Sequence, residues 1–394
     1  MHLAKRVSKL QPSATLALSR QAQQLAQSGQ DVIDLSIGQP DFTTPRVIKD
    51  AAISAINDGS ASFYTPANGL PALREAISQH IYQQNGVTYS PDQIAVTNGA
   101  KYALASVFNL ILNAGDNVLI PVPYWVSYVE QVRLAEGEPI LVPSQSGFKV
   151  TVDELEAART DKTRAIILNS PQNPTGVVYS KQELTLIGNW AVQHQILIIA
   201  DDIYRDLVYN GTNFTSMISI DPAITANTIL ISGVSKTYAM TGWRIGYVAG
   251  PAKFMQTFSA YLSHTTGNPA TVSQYAAIAA YTVDQGIVET MRQAFETRLN
   301  RLYPLIAAIP GFDLDEKPTG AFYLFPKIKR TVELLNYATT DDFAAALLAE
   351  TGVAIVPGRA FGMPEYARIS YAKDLESLEE AANRMQAFVT KTMI

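Results

Sequence analysis

The sequence predicts an α/β protein: a large domain with a mostly parallel sheet covered by helices, plus a smaller α+β domain. Three observations predict it. Residues 165–168, 196–200 and 228–231 are short, unbroken apolar runs of the kind that form strands buried on both faces. Helical patterns separate these runs, as in repeated strand–helix–strand units. After about residue 285 the alternation stops and a long helical stripe takes over. The 394 residues are enough for both domains, placed at 46–284 and at 1–45 together with 285–394.

The elements follow in order. Residues 15–28 read as a helix closed by Gly29, and Ile33, Leu35 and Ile37 alternate as in a strand. Thr44 and Pro45 read as an N-cap and first helical position, with Gly59 as the stop. A strand at 94–97 leads to a helix from about Ala100, and a strand at 118–120 leads to a loop at 121–128. Ser180 and Glu183 form a capping box for a helix ending near His194. Ile287, Met291, Phe295, Leu299 and Leu302 make one helical stripe, stopped by Pro310 and Gly311. Strands at 321–324 and 353–356, a helix near 341–350 and a terminal helix from Leu375 complete the chain.

Composition narrows the function. With 35 acidic and 30 basic residues the net charge is -5, which argues against a general nucleic-acid binder. There is no cysteine, so disulfides, thiolate nucleophiles and iron–sulfur clusters are excluded. The four histidines, His2, His80, His194 and His264, lack metal-ligand spacing. No apolar run approaches the ~20 residues of a membrane span. Lys5, Arg6 and Lys9 are followed by neither an apolar stretch nor a cleavage site, so a cytoplasmic enzyme without a signal peptide is expected.

The chemistry-bearing residues follow the ends of strands, where open α/β sheets bind ligands. Lys236 lies just past the run at 228–231. A lysine held there loses solvation, its pKa falls, and the neutral amine becomes a nucleophile able to make Schiff bases. Asp201, at the end of an apolar strand, needs a partner: a helix cap, a structural ion pair, or a cationic group of a ligand. Tyr204 sits three residues on. Asn173 begins an Asn-Pro-Thr-Gly turn, and turn chemistry alone explains that composition. Asn98-Gly99-Ala100 leads into a helix N-terminus suited to phosphate. Lys101 in that first turn opposes the helix dipole; an anionic ligand removes the conflict, and so does plain solvation.

Taken together, the segments KLQPSATLAL, IGQPDFTTP, YTPANGLPALREAI, VTNGAKYAL, PVPYWVSY, NSPQNPTGVVY, ADDIYRDL, SGVSKTYAMTGWRIGY, PTGAFYLF and VAIVPGRAF…YARISYA run almost end to end. Their ordered set resembles the class I aminotransferases of the pyridoxal-phosphate fold type I superfamily, and most nearly bacterial aspartate aminotransferases of subgroup Ib. The resemblance implies a seven-stranded sheet and pyridoxal 5'-phosphate held on Lys236 as a Schiff base. Asp201 would pair with the ring nitrogen, and Asn173 and Tyr204 with the ring oxygen. Gly99, Ala100, Ser235 and Arg244 would bind the phosphate, helped by Tyr64 from the neighbouring subunit of a homodimer. Trp125 would stack on the ring. Arg368 would clamp the substrate α-carboxylate, with Gly38 touching the same group. Lys101 would meet the distal carboxylate of a dicarboxylic substrate.

The resemblance therefore implies transfer of an amino group from L-aspartate to 2-oxoglutarate. Aromatic or prephenate aminotransferases, C–S lyases and non-catalytic cofactor-binding regulators are the alternatives. A regulator would add a DNA-binding segment, for which the pattern, starting near residue 1, leaves no room. Some positions depart from the family pattern. Gln39 replaces a glutamate near the substrate entrance, and Asp202, expected outside the ring contacts, replaces another. Gly233 stands where many relatives place a phosphate-binding serine, and Arg359, in place of a small residue, is expected to add a cation at the pocket mouth.

Overall fold

A computed structural model describes residues 3–8, 10, 14–284 and 286–392. His2, Lys9 and part of the KLQPSATLAL segment lie outside the described residues. Seven strands form the main sheet: β2 (Ile94–Thr97), β3 (Asn117–Val122), β4 (Glu138–Pro143), β5 (Thr163–Asn169), β6 (Leu197–Asp201), β7 (Thr228–Gly233) and β8 (Gly246–Ala249). Their order is β2-β8-β7-β6-β5-β3-β4, and β8 alone runs antiparallel to its neighbours. The three apolar runs become the central strands β5, β6 and β7. Leu168, Ile199 and Leu230 are buried there because helices cover both faces.

Five short strands lie elsewhere: β1 (Ile33–Asp34), β9 (Tyr323–Leu324), β10 (Val353–Ala354), β11 (Val356–Pro357) and β12 (Ala367–Ser370). β1 pairs with β10, and β12 lies between β11 and β9. The core beneath them includes Leu299 and Leu302 of the helix Gly286–Ala307, and it takes in Phe322, Tyr323 and Ile369. It also reaches Tyr204 and Leu207, just past the end of β6. The C-terminal elements are thus anchored against the carboxyl edge of the large sheet.

Local chemistry places most boundaries near the expected positions. Ser180 accepts from the Glu183 N–H, closing the capping box of the helix Lys181–Gln193. The first helix spans Ala14–Gln27, and Gly29 follows with φ 93°. Three of the differences have a visible cause. Thr44 does not cap the helix Arg46–Asn57: its hydroxyl donates to the Ala239 carbonyl at 2.8 Å, a tertiary contact invisible to local pattern. The strand at Ile33 ends early, because Asp34 accepts from the Ser36 N–H at 2.8 Å and its hydroxyl at 2.6 Å. That turn competes with the ladder and sends Ile37 and Gly38 toward the sheet edge. The expected strand at 353–356 splits at Ile355, where the chain changes from pairing with β1 to pairing with β12.

Among the described residues, no helix is long and apolar enough to cross a membrane.

Candidate active site

The register of the large sheet brings the strand ends level. Asn169 pairs with Asp201, Asp201 with Ile231, and Thr97 and Gly233 both with Gly246. Beyond this edge lies a cavity of about 580 Å³. Its lining includes Gly38, Ala100, Lys101, Trp125, Asn173, Asp201, Tyr204, Ser235, Lys236, Arg244 and Arg368. These sequence-selected residues come from well-separated segments and meet around one space.

The ammonium group of Lys236 donates to the Gly38 carbonyl at 2.6 Å and lies 5.7 Å from the ring centres of Tyr204 and Phe322. Burial, followed by the nearby Arg368 and Arg244 charges, lowers its pKa from 10.5 to about 7. A fraction of neutral amine is therefore present near neutral pH, as a nucleophile or general base requires.

Asp201 is almost fully buried. Its carboxylate accepts from the Tyr128 hydroxyl at 2.7 Å and the Ile203 N–H at 3.2 Å. Burial raises its pKa to about 6 despite those two bonds and the Lys236 charge, all of which favour the ionised form. A cationic ring nitrogen brought beside it would offset the cost of burying this charge. Asn169 braces the strand ends: its amide donates to the Asp201 carbonyl, and its side-chain oxygen accepts from the Asn173 N–H, both at 2.9 Å.

Arg368 sits on β12, the middle strand of its sheet, and is 3% exposed, so it is neither a surface charge nor an edge residue. It donates from Nη1 to Asn173 Oδ1 at 3.0 Å and from Nη2 to the Ser36 carbonyl at 2.6 Å. The guanidinium lies 4.5 Å from the Tyr323 ring centre and 4.9 Å from that of Phe361. Such a rigid planar cation suits a carboxylate.

A second group of cavity residues forms an anion cradle. Gly99, with φ 84°, opens the helix Ala100–Ile111. The Ala100 and Lys101 N–H groups begin that helix and have no backbone acceptor among the described residues. Gly99 also makes room for Arg244, whose Nη2 occupies the place a Cβ would take. Ser235 lines the same space. Gly233 cannot take a side chain without displacing strand β8, since a Cβ there would lie 2.8 Å from Gly246 Cα and Ile245 O. Lys101 Nζ lies 5.0 Å from the Trp125 ring centre, and burial followed by the Arg244 charge lowers its pKa. Trp125 in turn meets Tyr128 edge-on at 5.4 Å.

Other expected residues lie elsewhere. Tyr64 is 97% exposed and does not line the cavity of its own chain. Arg359 does not add a cation at the pocket mouth: it pairs bidentately with Asp341 at 2.8 and 3.1 Å, beside a separate surface depression. Gln39 does line the site and accepts from the Thr241 hydroxyl at 3.4 Å. Asp202 points away into a buried cluster and accepts from Ser216 at 2.5 Å. Burial raises its pKa to about 7. Tyr128, Asn169, Ser36 and Tyr323 were not selected from sequence. Tyr128 carried the better signal, lying one helical turn after Trp125 within PVPYWVSY.

A parallel-dominated sheet with a buried amine, a buried carboxylate and an anion cradle at its carboxyl edge defines an α/β protein with a ligand site at its strand ends. It superposes on the crystal structure of the aspartate aminotransferase from Rhizobium meliloti with a TM-score of 0.93, covering 99% of each chain at 36% identity. The chain belongs to the aminotransferase class I and II family, whose model matches residues 30–385. It is 51% identical over 391 residues to an asparagine–oxo-acid transaminase from Streptococcus mutans, covering 99% of both chains. It is 48% identical over 391 residues, again covering 99% of both, to an aspartate aminotransferase from Geobacillus stearothermophilus. The protein is an aminotransferase.

Proposed function

We propose that this aminotransferase carries pyridoxal 5'-phosphate on Lys236 and moves the amino group of L-aspartate to 2-oxoglutarate, giving oxaloacetate and L-glutamate. One observation carries the reading: the Lys236 amine, the Asp201 carboxylate and the Arg368 guanidinium line one cavity, and Lys101 adds a second cation. The residues present fit the cofactor. Asp201 suits its ring nitrogen and Lys236 its aldehyde. The Ala100 N–H, Ser235 hydroxyl and Arg244 guanidinium suit its phosphate. Asn173 and Tyr204, as cavity-lining polar groups, would suit its ring oxygen and Trp125 its ring face, and Gly99 admits Arg244.

When bound, pyridoxal phosphate supplies the electron sink for cleavage at the substrate Cα. The protein supplies position and protons. Arg368 binds the α-carboxylate, with the Gly38 backbone beside it. Lys101 binds the distal carboxylate, so the two cations select a dicarboxylic substrate by length. Lys236 Nζ, with its lowered pKa, would take the proton from the substrate Cα and, as the conjugate acid, donate it to the neighbouring imine carbon rather than back to Cα. Asp201 holds the proton on the ring nitrogen.

Three wider parts of the proposal follow. The division at 46–284 against both chain ends lets the ends close over the site, and Gly38 and Arg368 reach it from those ends. A homodimer with shared sites accounts for Tyr64, an aromatic left 97% exposed on one chain. The third part is a cytoplasmic location.

A second reading, asparagine as amino donor, is favoured by Gln39, a neutral amide on the cavity wall, and by the name of the Streptococcus mutans relative. Aspartate, asparagine, phenylalanine and cystathionine as donors to the pyridoxal form, and prephenate as a 2-oxo-acid acceptor for the pyridoxamine form, each assayed by the absorbance change of the cofactor, separate these readings. Aspartate is expected to react fastest. Faster reaction of any other donor overturns the assignment, and pyruvate with ammonia from cystathionine would mark a lyase.

A further inference from the structure

Tyr323 touches more of the site than any motif suggested. It is fully buried yet lines the cavity. Its hydroxyl lies 2.8 Å from the Tyr204 hydroxyl, its ring meets Tyr204 edge-on at 5.9 Å, and the Arg368 guanidinium lies 4.5 Å from its ring centre. The hydroxyl also sits against Gly38, where a Cβ would come within 2.5 Å of it. Gly38 is the residue whose carbonyl receives the Lys236 amine.

The segment that presents Tyr323 is held firmly. Ala321, at φ 55°, donates its N–H to the Leu207 carbonyl, and its own carbonyl accepts from the hydroxyls of Tyr209 and Tyr371. Gly320 donates to the Gly176 carbonyl, so the turn is tied to the Asn173 loop. In the ladder Tyr323 lies opposite Ser370, which shares a sheet face with Arg368 two residues earlier on β12.

We propose that Tyr323 is a positioning residue that couples the carboxylate clamp to the Tyr204 phenol, its ring fixing the plane of Arg368 and its hydroxyl orienting that of Tyr204. The proposal rests on the reading that Lys236 carries pyridoxal phosphate with Tyr204 at the ring oxygen. The ring and the hydroxyl have separable tasks. The ring's π face holds the guanidinium flat for a bidentate partner. The hydroxyl polarises the Tyr204 O–H, making it a better donor to the negatively charged ring oxygen.

The test uses the wild-type holoenzyme, Tyr323→Phe and Tyr323→Leu, each titrated with pH while the absorbance of the lysine-linked cofactor is followed. Tyr323→Phe, which keeps the ring, is expected to raise that titration midpoint by about 0.3–1 pH unit and leave KM for the amino acid unchanged. Tyr323→Leu is expected to show the same shift and to raise KM by roughly 3–30-fold. In a Tyr204→Phe background, Tyr323→Phe is expected to add no further shift. A wild-type midpoint in Tyr323→Phe overturns the proposal even if that variant is less heat-stable, because a packing role predicts only the stability loss. Equal KM increases in both variants also overturn it. If the wild type shows no lysine-linked absorbance, the cofactor reading itself fails and takes this proposal with it.

Discussion

The Lys236 amine donates to the Gly38 carbonyl at 2.6 Å, joining the end of the large sheet to the N-terminal segment. That bond is available to the protonated and neutral amine alike, so it does not by itself prevent loss of the proton. The apoprotein should therefore capture pyridoxal phosphate faster as pH rises through about 7, then level off. Borohydride reduction and peptide mapping should place the adduct at residue 236. A rate still climbing toward pH 10.5 would show an ordinary, solvated lysine.

The same shift has a stability consequence. Between about 7 and 10.5 the unfolded chain holds the Lys236 proton and the folded chain does not, so this residue's contribution rises with pH across that window. Asp201 acts oppositely at lower pH: its raised folded pKa makes its contribution fall as pH rises from 3.8 to about 6. In urea unfolding of apoprotein, Lys236→Met should gain most over wild type near pH 7 and least near 10.5. A pH-independent difference would contradict the burial of this amine.

Asp201→Asn keeps an oxygen for the Tyr128 hydroxyl and removes only the charge. Turnover should fall by about 10²–10³-fold, the scale for losing one preorganised electrostatic partner. Its thermal midpoint should hold or rise, because a buried carboxylate has been removed. Steady-state rates and a melting curve measure both, and retention of wild-type turnover would remove Asp201 from the mechanism.

Arg368→Lys keeps the charge but loses the planar fork that reaches both Asn173 and Ser36. KM for the amino donor should rise by roughly 10–100-fold, the range for losing a hydrogen bond to a charged group. An unchanged KM would place the carboxylate elsewhere.

Gly99→Ala puts a methyl group where Arg244 Nη2 lies, on a backbone at φ 84°. A loss of about 1–3 kcal/mol in stability is expected from the backbone strain, together with weaker pyridoxal phosphate binding as Arg244 is displaced. Thermal melts and cofactor titration test the two effects. Wild-type cofactor affinity would show that Arg244 does not bind the phosphate.

Tyr64→Phe and Lys236→Ala chains should each be impaired alone. In the proposed homodimer, mixing them after mild dissociation should restore part of the activity, because one shared site would receive both native residues. Absence of recovery in demonstrably mixed dimers would place Tyr64 outside the shared site.

Much of the fold was legible because the central strands are unbroken apolar runs and their helices carry capping signals such as Ser180 and Glu183. Strand β4 was not, since Pro139 and Pro143 interrupt its pattern, and neither was β8, whose short apolar part is bracketed by Gly246 and Gly250. At the site, Lys236 and Asp201 stood out because charged groups at the ends of buried strands need an explanation. Tyr128 and Tyr323 did not, because an aromatic among apolar residues reads as core, and the direction of its hydroxyl is set by packing. Arg359 misled for the converse reason: Asp341, 18 residues earlier, neutralises it through a contact no local motif reports.

The sequence by itself determined the element types, the α/β class and the chemical groups that leave the ends of the central strands. Those depend on hydrophobic period, turn residues and composition, all of which act over a few neighbouring positions. The tertiary structure decided which groups meet: Lys236 with the Gly38 carbonyl, Asp201 with Tyr128, Arg368 with Asn173 and Tyr323. These contacts join distant chain segments through sheet order and domain packing, and they set the altered pKa values of Lys236 and Asp201 through the burial they create.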